Sequence, residues 1–321
     1  MLLSNKDYRR LGLTDLKVSP ICFGTLTISP LQRNYSIEEG NTLLRKAYEL
    51  GINFVDTAEI YGTYGYIRES IKRSGFRPII ATKAYCYDVK TATKSVESAL
   101  KELDTDYIDI FLLHEQTSYH SIKGHQEAIE TLLEYKVQGK IKHVGISCHT
   151  ISAVQGSFAF PEIEIIHPIY NMRGIGIADG SKEEMLKAIN TAVDMGKGIY
   201  GMKALGGGHL IKNKEEALKH CFSMKSFSSV AIGMQTVDEI VYNISIYLDK
   251  AKEYQDIARR LEGKKREILI HDWCTSCGKC KDVCPQKALN LGVETMEVDT
   301  KKCVFCGYCA RVCPDFCIKV I

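Results

Sequence analysis

Several things are missing from the 321-residue sequence, and each absence narrows the reading. No apolar run long enough to span a bilayer occurs, and the opening MLLSNKDYRR lacks a long apolar stretch followed by a small-residue cleavage site. Neither a membrane span nor an export signal is therefore expected, and the expected compartment is cytoplasmic. Charge of one sign is also missing: Lys+Arg 42 against Asp+Glu 39 leaves +3, too even to draw the whole chain onto nucleic acid or a membrane. Partners must be sought at local sites. With 45% hydrophobic and 25% charged residues, the composition excludes a disordered, collagen-like or coiled-coil chain.

What is present is an alternation of short β-type runs with amphipathic helical stretches. It starts with PICFGT, SIEEGNTLLRKAYELG, INFVDT, a helix over 64–74, PIIATK, TKSVESALKELD and YIDIFLLH. A helix over 120–138 follows, then IKHVGIS, IEIIHPIYN, a helix over 181–195, GIYGMKAL, a helix over 214–224, SSVAIG and a last helix from 236. The strands are nearly continuous apolar runs, as parallel strands buried on both faces require, and eight such strand–helix units predict a TIM barrel. An open doubly wound sheet is the rival, but no GxGxxG follows the first strand. Ahead of the first unit, YRRLGLTDLKVSP alternates in polarity about Gly12, which predicts a hairpin placed to plug one barrel end.

Residues 249–267 hold seven basic and five acidic side chains and read as a solvated linker helix ending at Gly263. Composition then turns abruptly to cysteine. The expected division is a barrel with its linker helix over 1–265 and a small module over 266–321.

Nine of the thirteen cysteines lie after residue 273. A chain with a large core of its own has no need of disulfide staples, so the clustering points to metal ligation in a reducing compartment. Two copies of C-x2-C-x2-C-x3-C-P are present: Cys274, Cys277, Cys280 and Cys284 before Pro285, and Cys303, Cys306, Cys309 and Cys313 before Pro314. Three thiolates on one tight loop suit three irons of a cubane, with a fourth ligand from a distance. Zinc ribbons use paired C-x2-C knuckles instead. The segment resembles the bacterial-type two-cluster ferredoxin. That resemblance implies two 4Fe–4S clusters and crossed ligation: Cys274, Cys277, Cys280 and Cys313 on one, Cys303, Cys306, Cys309 and Cys284 on the other. It also implies electron transfer, with a redox partner protein docking at this module. Cys317 falls outside both motifs and is expected to be a packed thiol, and Cys22, Cys86, Cys148 and Cys221 are expected to be buried small hydrophobes.

In the barrel, the second strand ends in Asp56, Tyr61 stands five residues on, the third strand ends in Lys83 and the fourth in His114. Catalytic groups of a TIM barrel come from that carboxyl-terminal rim, so the four can converge. With YRRLGLTDLKVSPICFGT, GINFVDTAEIYG, IIATK, DIFLLHEQ and IKHVGIS, the chain resembles the aldo-keto reductase family over residues 8–245. The resemblance implies a catalytic tetrad of Asp56, Tyr61, Lys83 and His114. Tyr61 would be the general acid to a small-molecule carbonyl (or the base to an alcohol), and a nicotinamide would deliver hydride. A neighbouring Lys83 is expected to lower the tyrosine pKa from its usual value near 10.

The glycine turn LGGGHL, with Gly206, Gly207 and Gly208, and the segment from Gly233 to Asn243 suit phosphates after strands seven and eight. The resemblance assigns them to the pyrophosphate and adenosine, with Asn243 at the adenine. Ser147 and Lys203 join the cofactor set. Three positions depart from the family pattern: Cys148 where Asn usually holds the carboxamide, His167 for Gln, and Met202 for a stacking ring. Glu239 stands where Arg often meets a 2′-phosphate, so NADH is expected over NADPH. The functional expectation is an iron–sulfur oxidoreductase of anaerobic metabolism. One alternative is an electron-transfer or redox-sensing protein whose barrel binds an altered cofactor, such as flavin, or none; another gives the clusters a purely structural role.

Overall fold

The computed structural model describes residues 2–262, 267–284, 286–303 and 308–320. The expected helix end at Gly263, the boundary near 265, Pro285 and Cys306 lie outside the described residues.

The N-terminal segment forms the expected hairpin, β1 (Arg9–Arg10) with β2 (Lys17–Val18). Eight strands follow: β3 (Ile21–Gly24), β4 (Phe54–Asp56), β5 (Ile79–Ala84), β6 (Ile108–Gln116), β7 (Ile141–Cys148), β8 (Ile165–Pro168), β9 (Gly198–Gly201) and β10 (Ser229–Gly233). All pair in parallel and close as β3 through β10 in chain order, with β10 returning to β3. Alternation along the strands makes two separate cores. Ile110 and Leu112 point inward with Phe54, Ala81, Ile165 and Tyr200, while Phe111 and Leu113 point outward into the layer beneath the helices.

The hairpin contributes Leu11, Leu16 and Val18 to the inner cluster and so plugs the amino-terminal end. Gly12, at φ 59, permits this approach: a Cβ there would lie 2.3 Å from the Gly198 nitrogen. The plug is fastened by His143, whose ring nitrogens lie 2.8 Å from Asp15 Oδ1 and 2.9 Å from Glu164 Oε1.

The outer layer is α1 (Ile37–Glu49), α2 (Tyr64–Ser74), α3 (Val89–Leu103), α4 (Tyr119–Gly124), α5 (Gln126–Val137), α6 (Ile151–Gly156), α7 (Lys182–Asp194), α8 (Lys214–Ser223) and α9 (Val237–Tyr247). Capping boxes at Ser36 with Glu39 and Ser181 with Glu184 fix where α1 and α7 begin. Two differences from expectation have simple local causes. The helix expected over 120–138 is divided at His125 into α4 and α5. The linker helix, α10 (Gln255–Glu262), is amphipathic rather than solvated all round: Ile257 and Ala258 are buried, while Arg260 pairs with Asp238 and Asp256 outside. None of the described helices is long and apolar enough to cross a membrane.

The cysteine-rich module is built from two similar halves. β11 (Ile268–Ile270), α11 (Lys279–Asp282) and β12 (Leu289–Leu291) are followed by β13 (Met296–Val298), α12 (Tyr308–Arg311) and β14 (Ile318–Val320). β11 pairs antiparallel with β14 and β12 with β13, so each half pairs only with the other. The turns after the fourth cysteine of each motif repeat as well. Lys287 and Phe316 have φ of 49° and 50°, and the next N–H groups, of Ala288 and Cys317, donate to Cys284 Sγ at 3.3 Å and Cys313 Sγ at 3.2 Å. The second turn projects Phe316 onto the barrel, where it packs against the outer core.

Candidate active site

β4 ends at Asp56 and a 3-10 turn, Glu59–Tyr61, brings Tyr61 back over the barrel mouth, closing on Gly62 at φ 64. Lys83 comes from β5 and His114 from β6. Lys83 Nζ donates to Asp56 Oδ1 at 2.7 Å, to Oδ2 at 2.8 Å and to the Thr57 carbonyl at 2.7 Å. Its three donors are thereby used, and Nζ sits 5.0 Å from the Tyr61 ring centroid. Tyr61 and His114 meet edge to face at 6.1 Å. All four residues of the expected tetrad line one cavity of about 1020 Å³.

The electrostatics differ from the expectation for Tyr61. Its phenol is raised well above 10, by burial first and then by the Asp56 and Glu115 carboxylates. Lys83 does not offset this because its charge is neutralised by Asp56 at contact distance. A raised phenol remains protonated at neutral pH, the form a proton donor needs. Burial likewise pushes the His114 imidazole well below its usual value, with the Lys83 and Lys203 charges adding to the effect. His114 is neutral and lines the cavity, and its Nδ1 is buried with no partner among the described residues.

The expected cofactor positions divide. Ser147, His167, Met202, Lys203, Gly207, Gly208, Gly233, Glu239 and Asn243 all line the cavity, which runs from Asp56 to Asn243. Cys148 does not. β7 alternates, so Ser147 faces inward, Cys148 is fully buried in the layer beneath the helices, and His149 faces the cavity instead. Gly206 is also buried away from the lining, with Ile175 against it. His167 stacks on Tyr200 at 3.8 Å and reaches the Tyr200 carbonyl at 2.7 Å through Nδ1; burial pushes its pKa down to about 4. Glu239 Oε2 accepts the Gln235 N–H at 2.6 Å, so it helps cap α9 as well as lining the cavity.

Five further residues join the site. Tyr200 donates to Asp56 Oδ2 at 3.0 Å. Tyr85 stacks on His114 at 4.4 Å and donates to Glu115, whose φ of 52° turns it out of the strand. His149 lies 3.8 Å from Glu115, and Arg33 lines the Glu239 end of the cavity while donating to Gln235 at 3.2 Å. Tyr85 was legible from β-strand period, two residues after Lys83. Tyr200 gave no local signal, because its partner is 144 residues away.

One wall of this cavity comes from the cysteine module: His271, Trp273, Pro314, Asp315, Phe316, Lys319 and Val320 line it. Phe316 lies against Gly176 and Val320 against Gly208, where a Cβ would come 2.8 Å from the Val320 carbonyl oxygen. Within the module, Cys280 and Cys309 are buried beside Leu289, Met296 and Ile318, with Cys274, Cys284 and Cys313 packed against them. Burial raises the Cys280 thiol, and Cys313 and Cys274 stand close enough to add to the effect. That proximity, and the N–H donors to Cys284 and Cys313, fit soft, anionic ligation of iron. Cys317 is buried with its thiol directed at the Trp273 and Asp315 carbonyls.

Comparison with known proteins agrees with both halves. Residues 20–280 match the aldo/keto reductase family and residues 266–314 match the 4Fe-4S dicluster domain. The chain therefore belongs to the aldo/keto reductase family and carries in addition a 4Fe-4S dicluster domain at its C-terminal end. Among curated relatives, L-galactose dehydrogenase of Arabidopsis thaliana is 23% identical over 283 residues, covering 74% of this chain and 87% of that protein. Methylglyoxal reductase DkgA of Escherichia coli is 26% identical over 180 residues, covering 53% of this chain and 64% of that protein. Among solved structures, one assigned to the aldo-keto reductases from Pseudomonas aeruginosa is 25% identical, covers 76% of this chain and 95% of its own, and has a TM-score of 0.64. The holo form of aldo-keto reductase AKR11C1 from Bacillus halodurans, at 20% identity and TM-score 0.63, covers 78% of this chain and 96% of its own and shares the fold.

Proposed function

We propose that this chain is an iron–sulfur oxidoreductase that reduces a small-molecule carbonyl, or oxidises the corresponding alcohol, with Tyr61 as the proton donor. The observation that carries the reading is the joining of Asp56, Tyr61, Lys83 and His114 around one cavity, with Tyr61 held in its protonated form. Lys83, its charge balanced by Asp56, packs beneath the Tyr61 ring and helps hold the phenol in position. His114, neutral and lining the cavity beside Tyr61, would orient the carbonyl oxygen toward Tyr61. When bound, a nicotinamide supplies hydride at this site. Ser147, His167, Met202 and Lys203 would hold its reactive end, Gly207, Gly208 and Gly233 its phosphates, and Asn243 its adenine. The Glu239 carboxylate favours NADH over NADPH.

Cys274, Cys277, Cys280 and Cys313 would ligate one 4Fe–4S cluster and Cys303, Cys306, Cys309 and Cys284 the other. Each cluster carries one electron and would exchange it with a redox partner protein docked at the module; coupling the clusters to a two-electron hydride transfer would need a two-electron mediator such as flavin. A second reading is favoured by the packing of Phe316 and Val320 against the glycine turn and by the burial of Cys148: the barrel would hold an altered cofactor, such as flavin, and the protein would act in electron transfer or redox sensing.

Tyr61→Phe tests the first reading. The ring and its packing remain, so the clusters should stay while carbonyl reduction falls by roughly 10²–10⁴. Unchanged turnover would remove the first reading. An absorption spectrum of anaerobically purified protein, followed by titration with NADH, separates the two by showing whether a flavin band is present and whether nicotinamide binds.

A further inference from the structure

The seam between barrel and module holds two lysines: Lys203, which the proposed function places beside the nicotinamide, and Lys319, to which it gives no role. Lys203 follows β9 in a left-handed conformation, φ 57, which turns its side chain across the cavity. Its Nζ lies 3.1 Å from His149 Nε2 and 3.5 Å from the centroid of Phe316. Lys319 reaches the same ring from β14 in the module, 5.1 Å from the centroid. Both line the cavity, and among the described residues neither ammonium forms a salt bridge. The nearby acid, Glu115, is engaged by the Tyr85 hydroxyl.

We propose that Lys203 and Lys319 form an anion subsite that grips carboxylate or phosphate oxygens of the molecule reacting at Tyr61. Two half-buried cations brought to one aromatic ring repel each other unless an anion lies between them. Burial, with the Lys319 charge adding to it, holds Lys203 well below its ordinary value, and burial brings Lys319 down to about 8. A bound anion reverses both effects. Lys203 is also close enough to the reaction site for its charge to oppose protonation of His114, His149 and His167. An acidic group held there belongs to a ligand that also reaches the tetrad. The inference rests on the carbonyl-reduction reading and narrows it to acidic substrates, with the barrel and the module each supplying one cation.

The test is calorimetry on the anaerobically purified full-length holoprotein at low salt, with inorganic phosphate as the probe. Phosphate should bind once per chain. Lys319→Gln should weaken it at least tenfold with iron and sulfide content unchanged, Lys319→Arg should restore it, and Lys281→Gln, on the exposed side of the module, should leave it alone. Lys203→Met should weaken binding to a similar extent. No phosphate binding, or Lys319→Gln binding as the unmodified chain does, would overturn the subsite. Repeating the titration with saturating NADH separates the two sources of phosphate oxygens. Retained binding assigns the subsite to substrate; competition by NADH assigns it to the dinucleotide pyrophosphate and overturns the substrate assignment. Tyr61→Phe removes no part of the subsite and should bind phosphate normally, so failure of the carbonyl reading and failure of this inference are distinguishable.

Discussion

Within the barrel, Phe54, Ile110, Ile165 and Tyr200 are enclosed entirely by neighbouring strands, whereas in the module two of the six residues that form the small apolar core, Cys280 and Cys309, are expected metal ligands. The barrel strands run to nine residues and close on themselves; each described strand of the module has three residues and pairs with only one other. A segment of about 50 residues with so small an apolar interior lacks the burial to fold unaided. Thiolate–iron bonds take the place of the missing core. The comparison teaches that the same chain uses the hydrophobic effect for its larger half and coordination chemistry for its smaller half.

The sharpest way to break the comparison is to remove the iron. Anaerobic chelation should make the segment after residue 262 sensitive to protease while the barrel persists as a resistant fragment with its own thermal transition. A single cooperative collapse of both halves would show that they depend on one another throughout. Single-ligand changes come next in size. Cys284→Ala and Cys313→Ala should each cost about half of an expected eight irons, and low-temperature EPR should show that Cys284→Ala damages chiefly the cluster of the second motif. Damage confined to the first motif's cluster would replace the crossed scheme with a local one.

Effects in the barrel should be smaller, since its frame does not depend on one residue. Glu239→Arg should shift the preference between NADH and NADPH toward NADPH by roughly tenfold, about 1.4 kcal/mol. Arg33 lines the same end of the cavity, so tighter NADPH binding by the unmodified chain would mean that its charge outweighs Glu239. The smallest effect concerns the plug. Burial pulls the His143 imidazole down, but its bonds to Glu164 and Asp15 outweigh burial and raise it above 6.5. A raised folded-state value stabilises fully below the unfolded pKa, and the contribution is lost as pH rises through the folded one. The Tm gap between unmodified chain and His143→Gln should therefore be wider at pH 6 than at pH 8, with a stability difference of order 1 kcal/mol or less because Asp15 is exposed.

The eight barrel units were legible because each strand is an apolar run with its own helix after it. The meeting of Asp56, Lys83 and His114 was legible for the same reason, since polar residues at the ends of such runs have only the rim to occupy, whereas Tyr61, on the turn after β4, was reached through the family resemblance. Cys148 was misplaced by one residue's worth of strand alternation, which sends adjacent side chains to opposite layers. The Tyr61 environment was not legible at all: it depends on Glu115 turning back at a positive φ and on Asp56 consuming the Lys83 charge. The partnership of Phe316 with Lys203 joins segments more than a hundred residues apart, and the turn that aims Phe316 shows itself in sequence only as the second of two repeats.

The wall that His271, Trp273, Phe316 and Lys319 lend to the cavity has a consequence for the life history of the protein. A chamber whose last side is supplied by a metal-dependent fold is finished only after metal has arrived. On the proposed reading, a newly made chain with a complete tetrad but no iron would have an open trough where the mature protein has a pocket. Oxygen damage that strips the clusters would return it to that unfinished state. On that reading the iron would act as an inspection stamp: ligand capture at the barrel would be withheld from chains that have no route for electrons.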